Sequence, residues 1–186
     1  MASAPEPAEL PPWATAAAAL APYDAGWPAQ ASRYASELTA ALSPWLLSPV
    51  GHVGSTAIPG ITAKPVIDLM ARVASKDETA AAAGPALGRL NWKHVPPEAD
   101  NRPWRQFFVR VSGDGQHRLA HLHLMSAGAA RWAEQLWFRD TLRACPELRD
   151  EYARLKTGLA AEFGHDRERY TAAKAGFIRR IVSLMP

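Results

Sequence analysis

The stretch His52-Val53-Gly54-Ser55-Thr56-Ala57-Ile58-Pro59-Gly60-Ile61-Thr62-Ala63-Lys64-Pro65-Val66-Ile67-Asp68-Leu69-Met70 constrains this chain more than any other. It leaves one apolar run, passes through small and turn-forming residues, and enters a second apolar run that carries an acid. Gly54 and Ser55 form a turn that a ligand can approach closely, because no bulky side chain stands in the way. Pro59-Gly60 marks a further turn. Val66 to Met70 reads as a short buried strand. A carboxylate inside such a strand is expensive to bury alone, so Asp68 calls for a cation, a cluster of donors or a strand end that faces a cleft.

The remaining pattern places this stretch within a mixed sheet flanked by helices. Ala29 to Leu42 is helical, with Tyr34, Leu38, Ala41 and Leu42 on one face, and Ser43-Pro44 ends it. Tyr23 and Trp27 are anchors in a turn-rich approach, and Trp45 to Val53 leads into the first strand. Ser75, followed three residues later by Glu78, opens a helix with a capping box that runs toward Leu87. A short strand reaches Val95 and breaks at Pro96-Pro97. Trp104 to Val111 is a strand, Ser112 to Gly115 a hairpin turn, and His117 to Met125 the partner strand. Three helices follow, over Ala129 to Ala144, from Pro146 to Phe163, and from Arg167 to Leu184. The expected class is α+β, a mixed β-sheet flanked by helices with a C-terminal helical bundle packed on it.

His121 and His123 fall on one face of their strand, roughly 7 Å apart at a rise of ~3.3 Å per residue. A His-x-His pair can bind a transition metal, meet phosphate when protonated, or act as a base. It can equally be two hydrogen-bonded imidazoles at a sheet rim. Lys64, beside Pro65, is placed to neutralise a phosphate. His52 either orients the Gly54-Ser55 turn or reaches an anion. Arg102 and Arg105, flanking Trp104, read as a mobile basic loop. The tryptophans read as packing residues.

Several segments carry a family resemblance. The opening stretch closely resembles the signature of the GrpB family, a branch of the nucleotidyltransferase superfamily of the DNA polymerase β type. Pro22-Tyr23-Asp24 with Trp27, His121-Leu122-His123-Leu124, Phe138-Arg139-Asp140, Tyr152 with Leu155-Lys156, and Asp166 to Thr171 with Lys174 match in order. The resemblance implies a nucleotidyltransferase core. Gly54 and Ser55 would hold a phosphate chain, since turn amides make an anion nest. Asp68, which follows Ser55 after 12 intervening residues, would hold a divalent cation, Mg²⁺ or Mn²⁺. Arg139, Lys156, Tyr170 and Lys174 match the family pattern on the helical segment and would close over an anionic ligand. On the residues alone, the same features also read as a tight turn, an acid satisfied by nearby donors, and solvated cations.

One departure matters. The superfamily usually places a second acid two residues after the first, and here that position is Met70. Two metals about 4 Å apart need several carboxylates. Asp68 with His121 and His123 is the alternative, a mononuclear set that would also admit a transition metal, with Asp68 and His123 as the catalytic pair. Three functions therefore stand: a metal-dependent nucleotidyltransferase, a non-catalytic ligand-binding or accessory module, and a tailoring transferase of small-molecule metabolism. The resemblance also implies that domains of this kind occur beside dephospho-CoA kinase.

Composition narrows the partners. A chain of 186 residues with 48% hydrophobic and 21% charged residues fits one soluble domain with a sizeable core. Residues 1–20, rich in Ala and Pro, read as a disordered tail and 21–186 as the domain. Before Gly60 one basic residue faces four acidic ones, and from Gly60 onward 20 face 14. This mildly basic body suits an anionic or phosphorylated small molecule and is too dispersed for duplex nucleic acid. The single Cys145 excludes an internal disulfide and a cysteine zinc site, which points to the cytoplasm. Ala14 to Ala21 lacks the basic flank of a signal segment, and no apolar run reaches the ~20 residues of a membrane span. No Walker loop, dinucleotide glycine fingerprint or His-Glu-x-x-His is present.

Overall fold

Alternation along two strands divides the molecule into a helix-covered face and a site-bearing face. The structure is a computed structural model that describes residues 11–15, 20–163 and 167–186. Its elements are α1 (Pro12–Thr15), α2 (Trp27–Leu42), β1 (Gly51–Val53), β2 (Ile67–Val73), α3 (Lys76–Arg89), β3 (Trp92–Val95), α4 (Pro97–Asp100), β4 (Gln106–Val111), β5 (Arg118–Ser126), α5 (Ala130–Ala144), α6 (Pro146–Phe163), α7 (Arg167–Ala173) and α8 (Ala175–Val182). The sheet order is β1-β2-β5-β4-β3, with β2 and β5 parallel and the other neighbours antiparallel.

Because strand side chains alternate, Ile67, Leu69, Ala71 and Val73 join Ala120, Leu122, Leu124, Phe108 and Trp92 on one face. Trp27, Ala31, Tyr34, Leu38 and Leu42 of α2 and Ala83 and Leu87 of α3 seal that face. Ser75 starts α3, its Oγ accepting from the Glu78 amide at 3.3 Å. Tyr34, Leu38 and Leu42 are the α2 core residues that the apolar spacing of the sequence marks.

The opposite face carries Asp68, His121 and His123 among Val53, Met70 and Met125 on one side and Phe107, Val109 and Val111 on the other. A second apolar cluster, Ile58, Ile61, Phe138, Leu142, Tyr152, Phe177 and Ile181, joins the turn after Ser55 to α5, α6 and α8. This C-terminal group of helices is the bundle expected from sequence, and α+β with a five-stranded mixed sheet describes the whole.

Several details refine the sequence reading. The first strand is only Gly51–Val53. Pro96-Pro97 ends β3 as expected but also opens α4, because Pro suits a first helical turn. The last helix is divided at Lys174 into α7 and α8. Within the expected tail, residues 1–10 and 16–19 lie outside the described residues. Pro12–Thr15 is a helical turn whose Trp13 packs beside Phe107, Val109 and Val111. Arg118 donates to the Trp13 and Ala14 carbonyls, both at 2.6 Å.

Candidate functional site

Strand pairing assembles the centre of the site. Parallel pairing of β2 with β5 sets Asp68 opposite His121 and Met70 opposite His123. Antiparallel pairing sets Val53 opposite Asp68, so Gly54 follows at the end of β1, directly beside the carboxylate. Gly54 adopts φ +70° and ψ −170°, a region open essentially to glycine alone. A Cβ there would stand 2.4 Å from Asp68 Oδ2. The glycine is therefore required twice, for its backbone and for the space it leaves the acid.

His121 Nδ1 lies 2.9 Å from Asp68 Oδ1, and His123 Nε2 lies 3.5 Å from the same oxygen. Burial alone would push the Asp68 carboxyl up. The hydrogen bonds and charge of the two imidazoles outweigh it and hold the carboxyl well below the usual range. His123 moves the other way. Burial lowers it to about 4, Asp68 opposes that shift, and the nearby Arg105 charge reinforces it. At neutral pH His123 is therefore a neutral ring.

Arg105 fixes which ring nitrogen carries the proton. It is 7% exposed, and its fork grips Asp100 through Nε at 2.8 Å and Nη2 at 2.5 Å. Its Nη1 donates to His123 Nδ1. An acceptor Nδ1 leaves the proton of a neutral imidazole on Nε2, facing Asp68. Trp104 stacks on the same ring, 5.8 Å between centroids and 8° between planes. The expected mobile basic loop is therefore corrected in part: Arg105 is buried and engaged, and Arg102 at 46% side-chain exposure is the outer residue.

Asp68, His121 and His123 form a group that could hold a metal ion, one ligand atom from each lying within 4.8 Å of the others. The chemistry of the donors ranks them. Asp68 is a hard oxygen ligand suited to Mg²⁺ or Mn²⁺ beside phosphate oxygens. His121 can offer Nδ1 by moving its proton to Nε2. His123 can offer Nε2 only if Nδ1 takes the proton, where the Arg105 donor already points. Met70 is fully buried in the Val53 and Met125 cluster, so the place of a second acid is filled by apolar packing.

A cavity of about 180 Å³ opens beside this centre. Gly54, Ser55 and Asp68 form its floor, and Phe138, Tyr152, Lys174 and Ile178 come from the helical bundle. Ser55 and Tyr152 both line the cavity, and burial pushes the Tyr152 phenol up. Lys174 Nζ lies 4.1 Å from the Tyr170 ring centroid and Lys64 Nζ lies 5.0 Å from it, so two ammoniums meet one buried ring. Lys156 is 2% exposed and donates to the Thr62 carbonyl. Burial, reinforced by Lys174, lowers it to about 7.

Of the proposed phosphate-binding residues, Gly54, Ser55 and Lys174 line the cavity and Lys64, Lys156 and Tyr170 do not; His52 and Arg139 also sit elsewhere. His52 points to the other side of β1, with Nε2 2.9 Å from Thr56 Oγ1, and burial lowers it to about 4. It braces the turn. Arg139 forks onto Asp140 at 2.7 and 2.9 Å and donates to the His52 carbonyl at 2.9 Å. It ties α5 to β1 and does not line the cavity. Asp100, Trp104 and Tyr152 are the residues that sequence reasoning left out of the site. Their roles depend on contacts between distant segments, and only Trp104 between two arginines gave a local sign.

Comparison with known proteins agrees with this architecture. A family model described as GrpB protein matches residues 17–183. A UPF0157 protein of Halalkalibacterium halodurans is 35% identical over 88% of this chain and 80% of its own length. One from Pseudomonas aeruginosa is 34% identical over 87% of this chain, which spans only 64% of that relative. A dephospho-CoA kinase of Mycobacterium bovis is 30% identical over 87% of this chain but 44% of its own length. The crystal structure of conserved protein GrpB from Enterococcus faecalis superposes with a TM-score of 0.78 over 89% of this chain and 96% of that one, at 24% identity. No helix among the described residues is long and apolar enough to cross a membrane. The glycine–serine turn, the strand aspartate and the paired histidines thus sit in the fold their signature implied, and the chain belongs to the GrpB family.

Proposed function

We propose that this protein binds a nucleotide or another phosphorylated small molecule against the Gly54-Ser55 turn, with a divalent cation at Asp68, and transfers a nucleotidyl group. The observation that carries the reading is the cavity where Gly54, Ser55, Asp68 and Lys174 meet. A turn, a deprotonated acid and an ammonium on one small hollow are the parts an anion with a bound cation requires. Ser55 and the turn would hold phosphate oxygens. Lys174 and Lys64, both meeting Tyr170, would neutralise the outer charge. Asp68 and His121 would hold the cation, which would supply Lewis-acid stabilisation of the phosphoryl oxygens when bound. His123, kept neutral with its proton on Nε2, orients Asp68.

Calorimetric titration of ATP in the presence of Mn²⁺ tests this. The expected result is saturable binding that chelation of the metal weakens at least tenfold and that Asp68→Ala removes. Absence of binding with all four nucleoside triphosphates overturns it.

One observation favours a second reading, a ligand-binding module without catalysis. Met70 stands fully buried in apolar packing where the superfamily has its second acid. Nucleotide binding that survives chelation, with no release of pyrophosphate, would select that reading.

A further inference from the structure

A second hollow, larger than that cavity, lies outside the site just described. It has a volume of about 720 Å³ and sits on the same sheet face, beyond Phe107. Its walls include Trp13 of α1, Val95 of β3, Phe107 and Val109 of β4, and Ala99 of α4. This volume lies within the range of pockets that enclose a small organic molecule. Nothing in the nucleotide reading uses it.

Position and charge both say what would fit. Phe107 is the shared wall: its ring lies 5.1 Å from His121 and 5.5 Å from His123, and its edge of β4 also bounds the hollow. The apolar and aromatic walls favour a flat hydrocarbon body. The charged lining residues of the hollow are Asp100, Arg102 and Arg118, and behind the lining Arg105 also holds Asp100. Asp100 is gripped by the Arg105 fork at 2.8 and 2.5 Å. Arg102 reaches the same carboxylate only at 3.3 Å, and its side chain is 46% exposed. The lining thus carries Arg102 and Arg118 against the one carboxylate of Asp100, a net positive charge, and a guanidinium suits a carboxylate in particular.

We infer that this hollow is a second ligand site, for a planar, largely apolar molecule bearing one carboxylate. The group on that molecule nearest Phe107 would approach the histidine pair. The inference rests on the nucleotide reading only in making this ligand the second one; binding itself is independent of it.

The test is calorimetric titration of the full chain with 2-naphthoate and, as a matched cation, 2-naphthylmethylamine, without nucleotide. Saturable binding of the naphthoate, at least tenfold tighter than the amine, is expected. Arg102→Ala should erase that preference while leaving ring binding in place. Ala99→Trp, at an exposed position of α4 that lines the hollow, should weaken naphthoate at least tenfold and leave ATP binding unchanged. No saturable binding, equal binding of the two probes, or an Ala99→Trp variant that binds naphthoate normally would overturn the inference. Removing residues 1–10 is the remaining arm. A tenfold gain in naphthoate affinity on their removal would assign the hollow to the chain's own start and overturn it as well. Loss of ATP binding with naphthoate binding intact would instead count against the nucleotide reading alone.

Discussion

Gly54 and Lys156 show how individual residues hold this site together. Gly54 occupies a glycine-only conformation against the Asp68 carboxylate. Gly54→Ala should destabilise the fold by about 1–3 kcal/mol, read from urea unfolding, and should also displace Asp68 and remove nucleotide binding. An unchanged unfolding midpoint would contradict the contact. Lys156 gives a pH signature. Its folded value of about 7 lies below the ordinary lysine value of 10.5, so between these values the unfolded chain holds more protons than the folded one. Stability must therefore rise with pH across that window. From pH 7 to pH 10 the wild type should gain roughly 2–4 kcal/mol relative to Lys156→Met. Parallel pH profiles for the two proteins would show that Lys156 is not buried in its charged form's disfavour. Both residues stood out in the sequence, but for different reasons. The turn composition marked Gly54, whereas only the family pattern marked Lys156, because a lysine on an amphipathic helix ordinarily reads as solvent-facing.

At the scale of elements, the helical bundle is what turns a sheet surface into a hollow. Phe177 of α8 stacks on Tyr152 of α6, 5.1 Å between centroids, and meets Phe138 of α5 edge-on. Phe177→Ala should lower stability by about 3 kcal/mol or more. It should also weaken nucleotide binding, since Tyr152 lines the cavity with Ser55 and α8 follows Lys174 directly. A loss of stability with unchanged affinity would mean that the bundle does not shape the site. The helices were legible from sequence because their signals are local: α2, α5 and α6 repeat apolar residues over several turns, and α3 is opened by the Ser75–Glu78 cap. Short α4 was not, because Pro97 to Asp100 spans one turn and leaves no period to read. The break at Lys174 was not, because Tyr170, Phe177 and Ile181 keep the helical spacing through it.

Across the whole molecule, the central event is one parallel strand pair. Asp68 and His121 are 53 positions apart, and only the β2–β5 register brings them within 2.9 Å. The spacing of Ser55 and Asp68 and the alternation of His121 and His123 were legible, since each lies on one segment. Their meeting was expected only from the family resemblance. The hold of Arg105 on His123 and the meeting of Tyr152 with Ser55 at the cavity were not legible at all, because neither partner's segment signals the other. The same topology explains why Met70 is silent chemically: it shares the face of Asp68 but is covered by Val53 and Met125. The most direct measurement of the central claim is a crystal structure with Mn²⁺ and a non-hydrolysable ATP analogue, using the anomalous signal of manganese. The account predicts a manganese peak in bonding distance of Asp68, with phosphate oxygens on the Gly54-Ser55 turn and Lys174 closing over them. A manganese peak away from Asp68, or phosphates bound clear of that turn, would contradict it.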